Sequence, residues 1–273
     1  MGVKKQILIT GAGSGFGRGT ALGLAERGHD VIAGVYAPEE ITELKKEAAS
    51  RGISLRAEKL DLLSDFDREA AFKWDVDVLV NNGAIGEGGP IGEIPLELVR
   101  RVFDINVFGT LALTQGFLKQ MVKRGRGRII FVSSVAGLRS SAYLGTYCAS
   151  KHALEAIAEA MHFELAPHGI QVATINPGPY ATGFNDRMVE SRYRWYDPER
   201  NFTRVEDLKK LADHFEKQYD PQELIQALIQ LVESDSGLYR NVHPKQSEES
   251  VHRLREEAWT RQQTPFPSAA RAA

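Results

Sequence analysis

Short, mostly continuous apolar runs punctuate the first two thirds of the chain, at residues 6–10, 31–35, 76–80, 128–132 and 171–175, and residues 53–60 alternate loosely and read as a further strand. Apolar residues at successive rather than alternate positions suit strands buried on both faces of a parallel sheet. Between the runs, at residues 18–27, 38–49, 64–72, 96–123 and 145–168, apolar positions recur at helical spacing, and Gly28, Gly125 and Gly169 stand where several of these stretches close. Strand and helix in alternation predict a doubly wound α/β domain.

The last third is patterned differently. Residues 180–213 hold Tyr193, Trp195, Tyr196 and Phe202 without strong periodicity, which suits a helical substrate lid over about 183–219 or a satellite hydrophobic cluster. Residues 221–232 form an amphipathic helix with Asp220 as N-cap and Pro221 at its first position. Residues 237–242 predict a final strand, for about seven in all. A charged surface helix is expected over 248–263 and disorder over 264–273, so that 1–245 make one domain and 246–273 a C-terminal extension.

With 273 residues, 42% of them hydrophobic, the chain can bury a sizeable core. A net charge of −2 gives no reason to expect a nucleic-acid partner. Cys148 is the single cysteine, which excludes an intrachain disulfide and a cysteine-rich metal site and fits a cytoplasmic location; no metal is expected. No apolar stretch approaches 18 residues, so a soluble protein without a membrane span is expected.

Two stretches carry candidate chemistry. The turn Gly11-Ala12-Gly13-Ser14-Gly15-Phe16-Gly17 lies between the first strand and the first helix, where glycines let the backbone turn sharply and approach a pyrophosphate. The second runs from Ser133 to Lys151. Tyr147 and Lys151, four apart, share a helix face, and an ammonium beside a phenol favours the phenolate. Ser134 is placed to hold a substrate oxygen. Gly11, Asn81, Ser134 and Pro177 all follow a strand at the same sheet edge, so their loops converge on one crevice.

Taken together, these motifs resemble the classical short-chain dehydrogenase/reductase family over roughly residues 5–182 and more loosely to about 243. Thr10 to Gly17 fits its T-G-x-x-x-G-x-G loop, and Asn81-Asn82-Gly83-Ala84 is a swapped form of its N-N-A-G. Asn106, Ser134, Tyr147 and Lys151 fall where the family keeps its catalytic tetrad, including the thirteen-residue step from serine to tyrosine. The resemblance implies a Rossmann-type sheet and a bound NAD(P). Its cofactor contacts would be Gly11, Gly13, Ser14, Gly15, Phe16, Gly17, Tyr36, Asp61, Leu62, Asn82, Gly83, Ala84, Tyr147, Lys151, Pro177, Gly178 and Thr182, with Asp61 on the adenine amino group. It also implies interconversion of an alcohol and a ketone or aldehyde, with Tyr147 as acid/base, Ser134 holding the oxygen, Lys151 lowering the tyrosine pKa and Asn106 placing a relay water. A homodimer or homotetramer is expected, the dimer through the two long helices. The competing classes are a nucleotide-binding regulator or scaffold without turnover, and a dehydratase or isomerase on the same scaffold.

The strand-two end carries Val35 and Tyr36 rather than a carboxylate, which tilts the cofactor expectation slightly to NADP, with Ser14, Tyr36 and Arg18 nearby. Residues 85–95, 138–143 and the aromatic segment after Thr182 should line the substrate pocket, Tyr143 included, and suggest a bulky hydrophobic or aromatic substrate. Cys148 is assigned to helix packing.

Overall fold

The computed structural model describes residues 3–213 and 215–264. Seven parallel strands form one sheet: β1 (Gln6–Thr10), β2 (Asp30–Val35), β3 (Arg56–Lys59), β4 (Val78–Asn81), β5 (Gly127–Val132), β6 (Ile170–Pro177) and β7 (Arg240–His243). Their order is β3-β2-β1-β4-β5-β6-β7, so the winding reverses between β1 and β4. A crevice opens at such a reversal, beyond the carboxyl ends of the strands.

The continuous apolar runs are explained by two cores. Successive strand residues point to opposite faces. Ile7, Ile9, Val78, Val80, Ile130 and Val132 face α1 (Gly15–Glu26), α2 (Pro38–Ser50) and, further along the chain, the helix Pro221–Glu233. Leu8, Leu79, Ile129 and Phe131 face the other way, against a second helical layer. Onto that side fold α3 (Asp65–Ala71), α4 (Leu96–Phe103), α5 (Thr110–Arg124) and α6 (Gly145–Leu165). Every one of these strand residues is essentially without solvent contact.

Departures from the sequence expectation have local causes. β3 is shorter than residues 53–60 because it is an edge strand, Arg-Ala-Glu-Lys, with Ala57 its one buried residue. The expected helix over 96–123 is interrupted by a π-helical turn, Asp104–Gly109, which carries Asn106. Residues 180–213, expected without periodicity, form α7 (Phe184–Glu190), a 3₁₀ turn (Ser191–Arg194) and α8 (Val205–Asp213). Helices this short show too few turns for a 3.6-residue period to stand out.

α9 (Pro221–Glu233) begins as expected: the Asp220 side chain accepts from Gln222 N at 2.9 Å, with Pro221 at the first helical position. α10 (Lys245–Thr260) starts earlier than residue 248 and is not wholly a surface helix, since Val251 is buried against Val135 and Leu138. The disorder expected at 264–273 falls almost wholly on residues outside those described. Among the described residues no helix is long and apolar enough to cross a membrane, and no cluster of potential ligands could hold a metal ion.

Candidate active site

The glycine turn after β1 is held by contacts that admit no side chain. Gly11 has φ +62°, and a Cβ there would lie 2.7 Å from Gly83 Cα. A Cβ on Gly17 would lie 2.5 Å from Gly11 O. Strand ends β1 and β4 are tied together just beneath: Thr10 Oγ1 accepts from Asn82 N (3.0 Å) and Gly83 N (2.9 Å), while Asn82 Nδ2 donates to Thr10 O at 2.9 Å. Ser14 stands at the N-cap of α1 without making a side-chain cap bond. The first-turn amides of α1 therefore have no local acceptor and are donors for an anionic group.

A cavity of about 590 Å³ runs along this edge from Tyr36 and Asp61 past the glycine turn to Ser134, Tyr147, Lys151 and Thr182. All the residues expected at the cofactor line it except Gly17, which is buried behind the turn. The bare glycine cradle, the uncapped helix start and the length of the groove fit an extended dinucleotide. Phe16 is braced by Tyr180, edge to face at 5.5 Å, and the Tyr180 hydroxyl donates to Glu223 at 2.6 Å. At the β3 end, Asp61 Oδ1 accepts from Leu63 N (2.9 Å), and Asp67 accepts from Asp61 N (2.9 Å) and Lys59 Nζ (2.6 Å).

At the other end β5 delivers Ser134 and α6 delivers Tyr147 and Lys151, all buried. The Ser134 hydroxyl accepts from Ala136 N at 3.0 Å, capping a 3₁₀ turn, and donates to Pro177 O at 3.3 Å. Lys151 Nζ donates to Val132 O at 2.9 Å and lies 5.8 Å from the centroid of the Tyr147 ring. Burial, opposed by Glu155, pushes the Lys151 ammonium down to about 8. Tyr147 departs from the expectation that Lys151 lowers it. Burial raises its phenol well above the ordinary value, and the hydrogen bond with Ser134, rather than the ammonium, is what pulls it back. The ammonium donates to the strand carbonyl of Val132 rather than to the phenol.

Asn106 does not reach the cavity wall. Its Oδ1 accepts from Ile85 N (2.9 Å), and its Nδ2 donates to Ile85 O (2.8 Å) and Ser150 Oγ (3.0 Å). It joins the loop after β4 to the residue preceding Lys151, so it acts on the site through position. Tyr143 also lies off the wall. It holds φ +63°, and its carbonyl accepts from Gly89 N at 2.8 Å. The expected pocket loops reach the cavity mainly near their ends, at Ile85, Arg139 and Ser141, and at Phe184 and Met188. Beyond Gly86, the loop to residue 95 packs elsewhere. Within residues 180–219, Phe184, Met188, Val189, Leu211 and Phe215 form a hydrophobic cluster with Leu144, Tyr147 and Cys148.

One cavity residue was not legible in the sequence. Glu40, in the first turn of α2, brings its carboxylate to the strand-two end, where it accepts from Tyr36 N and Ala37 N, both at 3.0 Å. The ground for expecting NADP, a strand-two end without a carboxylate, does not hold in three dimensions.

Comparison with known proteins agrees with this geometry. The family model for short chain dehydrogenases matches residues 5–192. An uncharacterized oxidoreductase, YusZ of Bacillus subtilis (strain 168), is 34% identical over 247 residues, 84% of each chain. The 3-ketodihydrosphingosine reductase of Bacteroides thetaiotaomicron is 32% identical over 237 residues, 86% of each chain. Among solved structures, actinorhodin polyketide ketoreductase with NADPH superimposes with a TM-score of 0.74 at 26% identity, covering 89% of this chain and 97% of that one.

Proposed function

This chain belongs to the short chain dehydrogenase family of oxidoreductases, and we propose that it interconverts an alcohol and a ketone or aldehyde with NAD(P). The observation that carries this reading is that Ser134, Tyr147 and Lys151 border the same cavity as the glycine cradle. The cradle from Gly11 to Phe16 would hold the pyrophosphate, Asp61 and Leu62 the adenine, and Pro177, Gly178, Thr182 and Lys151 the nicotinamide riboside. When bound, the dinucleotide supplies hydride to a carbonyl carbon or takes it from a carbinol carbon.

The protein's part is to place the reacting oxygen and move one proton. Ser134 turns its hydroxyl from Pro177 O to the substrate oxygen and stabilises the charge that develops there. Tyr147 delivers the proton in reduction and removes it in oxidation. Its raised pKa suits the acid role, because the phenol stays protonated until an oxyanion forms beside it. Lys151, close to neutral pH in its own titration, provides a charge that can follow the reaction. Asn106 holds Ile85 and Ser150 and thereby the width of the site.

The wall beyond Tyr147 carries the apolar side chains Leu144, Phe184, Met188 and Phe215 among the polar Arg139, Ser141, Asn185 and Arg187, and the apolar group supports a bulky hydrophobic or aromatic substrate. The 3-ketodihydrosphingosine reductase is a relative of that kind. A homodimer through the two long helices is supported by the exposed Phe108 and Phe163, and a cytoplasmic location by the buried, unpaired Cys148.

The test is Tyr147→Phe. Turnover of a carbonyl panel should fall by at least about a hundredfold, while dinucleotide affinity measured by nicotinamide fluorescence stays within a few-fold. Retained turnover would overturn the assignment.

A further inference from the structure

The carboxylate of Glu40 occupies the place in the groove that distinguishes the two dinucleotides. Beyond the pyrophosphate, the adenosine ribose of a nucleotide bound in this fold reaches the carboxyl end of the second strand, where an acid accepts from its 2′-hydroxyl or a cation receives a 2′-phosphate. Here Val35 ends that strand, and an acid reaches the spot from the following helix. Glu40 Oε2 takes the two backbone donors of the turn, Tyr36 N and Ala37 N, at 3.0 Å each. Its carboxyl group also leans against the glycine turn: a Cβ on Gly13 would fall 2.2 Å from Glu40 Cδ and Oε1. Glu40 lines the cavity beside Gly13, Ser14 and Tyr36.

Among the described residues, the cations near it are engaged by other carboxylates: Lys59, which pairs with Val35 across the sheet, is held by Asp67 at 2.6 Å. Arg18, beneath the glycine turn, is held by Glu47 (2.6 Å) and Glu43 (3.8 Å), and its one contact with the turn is to Gly13 O at 3.4 Å. The cationic residues lining the cavity, Arg101, Arg139, Lys151 and Arg187, lie on α4, the loop after Ser134, α6 and α7, and none comes from the β2–α2 turn. A 2′-phosphate would bring nearly two negative charges to a carboxylate that already holds the local N–H groups. A ribose hydroxyl would find an acceptor.

We propose that Glu40 selects NAD(H) against NADP(H), accepting from the adenosine ribose and excluding the 2′-phosphate. The proposal rests on the dinucleotide reading above. Its test is equilibrium titration of the purified protein with NADH and with NADPH, followed by nicotinamide fluorescence, for the wild type, Glu40→Gln and Glu39→Gln. Glu39 is the exposed neighbour and serves as control.

The wild type should bind NADH at least tenfold more tightly than NADPH. Glu40→Gln should narrow that ratio at least tenfold, chiefly by tighter NADPH binding, and Glu39→Gln should leave it unchanged. A wild-type preference for NADPH, or a ratio indifferent to Glu40→Gln, would reduce Glu40 to a helix cap and overturn the proposal while leaving the dinucleotide reading intact. Failure of all three proteins to bind either nucleotide would overturn both.

Discussion

The two ends of the cavity hold their polar groups by opposite means. At the β2–β3 end, carboxylates are fixed by several partners: the half-buried Glu40 on two backbone amides, and the buried Asp67 on Lys59 and Asp61 N. At the β5–α6 end the side chains are deeply buried and sparsely partnered. Lys151 has one carbonyl, and desolvation governs both it and Tyr147. The first arrangement suits recognition, because its charged groups are held in fixed positions. The second is poised at Lys151, whose ammonium gives up its proton more readily once desolvated, while the same desolvation keeps the Tyr147 phenol protonated.

Removing the poised group should give the largest effect. Lys151→Met is expected to lower kcat by roughly 10²- to 10⁴-fold, read by steady-state kinetics. The same variant checks the cause. A lysine that burial lowers to about 8, below its ordinary value of 10.5, binds fewer protons than the unfolded chain between those values. Wild-type stability should therefore rise relative to Lys151→Met as pH climbs through that window. Urea midpoints of both proteins at pH 7.5 and 9.5 would show it, and a constant gap would mean that burial does not govern this end.

A smaller effect is expected at the paired end. Burial alone would raise the Asp67 carboxyl, but Lys59, Asp61 N and Ser64 outweigh it and hold the pKa below 3.8. The stabilisation is fully present above the unfolded value and fades as pH falls through the folded one. Asp67→Asn should cost about 1–3 kcal/mol at pH 7, and the gap to wild type should close in acid. A deficit that persisted there would show that shape, not charge, holds the β3 loop.

The smallest effect tests whether the ends are independent. Val251→Ala removes packing behind the Ser134 turn and should cost about 1 kcal/mol. Carbonyl KM should rise modestly with NADH affinity unchanged, and a matching loss of NADH affinity would show the ends to be coupled.

Legibility in the sequence follows the same divide between backbone and side chain. Strands β1, β2, β4, β5 and β6 were readable because each buries both faces, and the glycine turn because close backbone approach leaves no other residue possible. Tyr147 and Lys151 were readable because one helix carries both. Glu40 was not: its carboxylate counts only because the first turn of α2 folds back over the strand end, a relation in space rather than in spacing. The π-helical turn escaped notice because Asp104–Gly109 continues an apolar pattern that an ordinary helix would also satisfy. That the Lys151 ammonium bonds Val132 O is a side-chain choice that no pattern records.

The seat of α10 bears on the order in which the protein is made. Synthesis from the N-terminus presents β1, α1 and β2 first, and these can pair and cover their own apolar face early. The turn after Ser134 waits longer, since Val135 and Leu138 gain Val242 and Val251 as neighbours only when the last strand and helix have emerged. The nascent chain therefore assembles the glycine turn well before the turn after Ser134 gains its packing partners from β7 and α10.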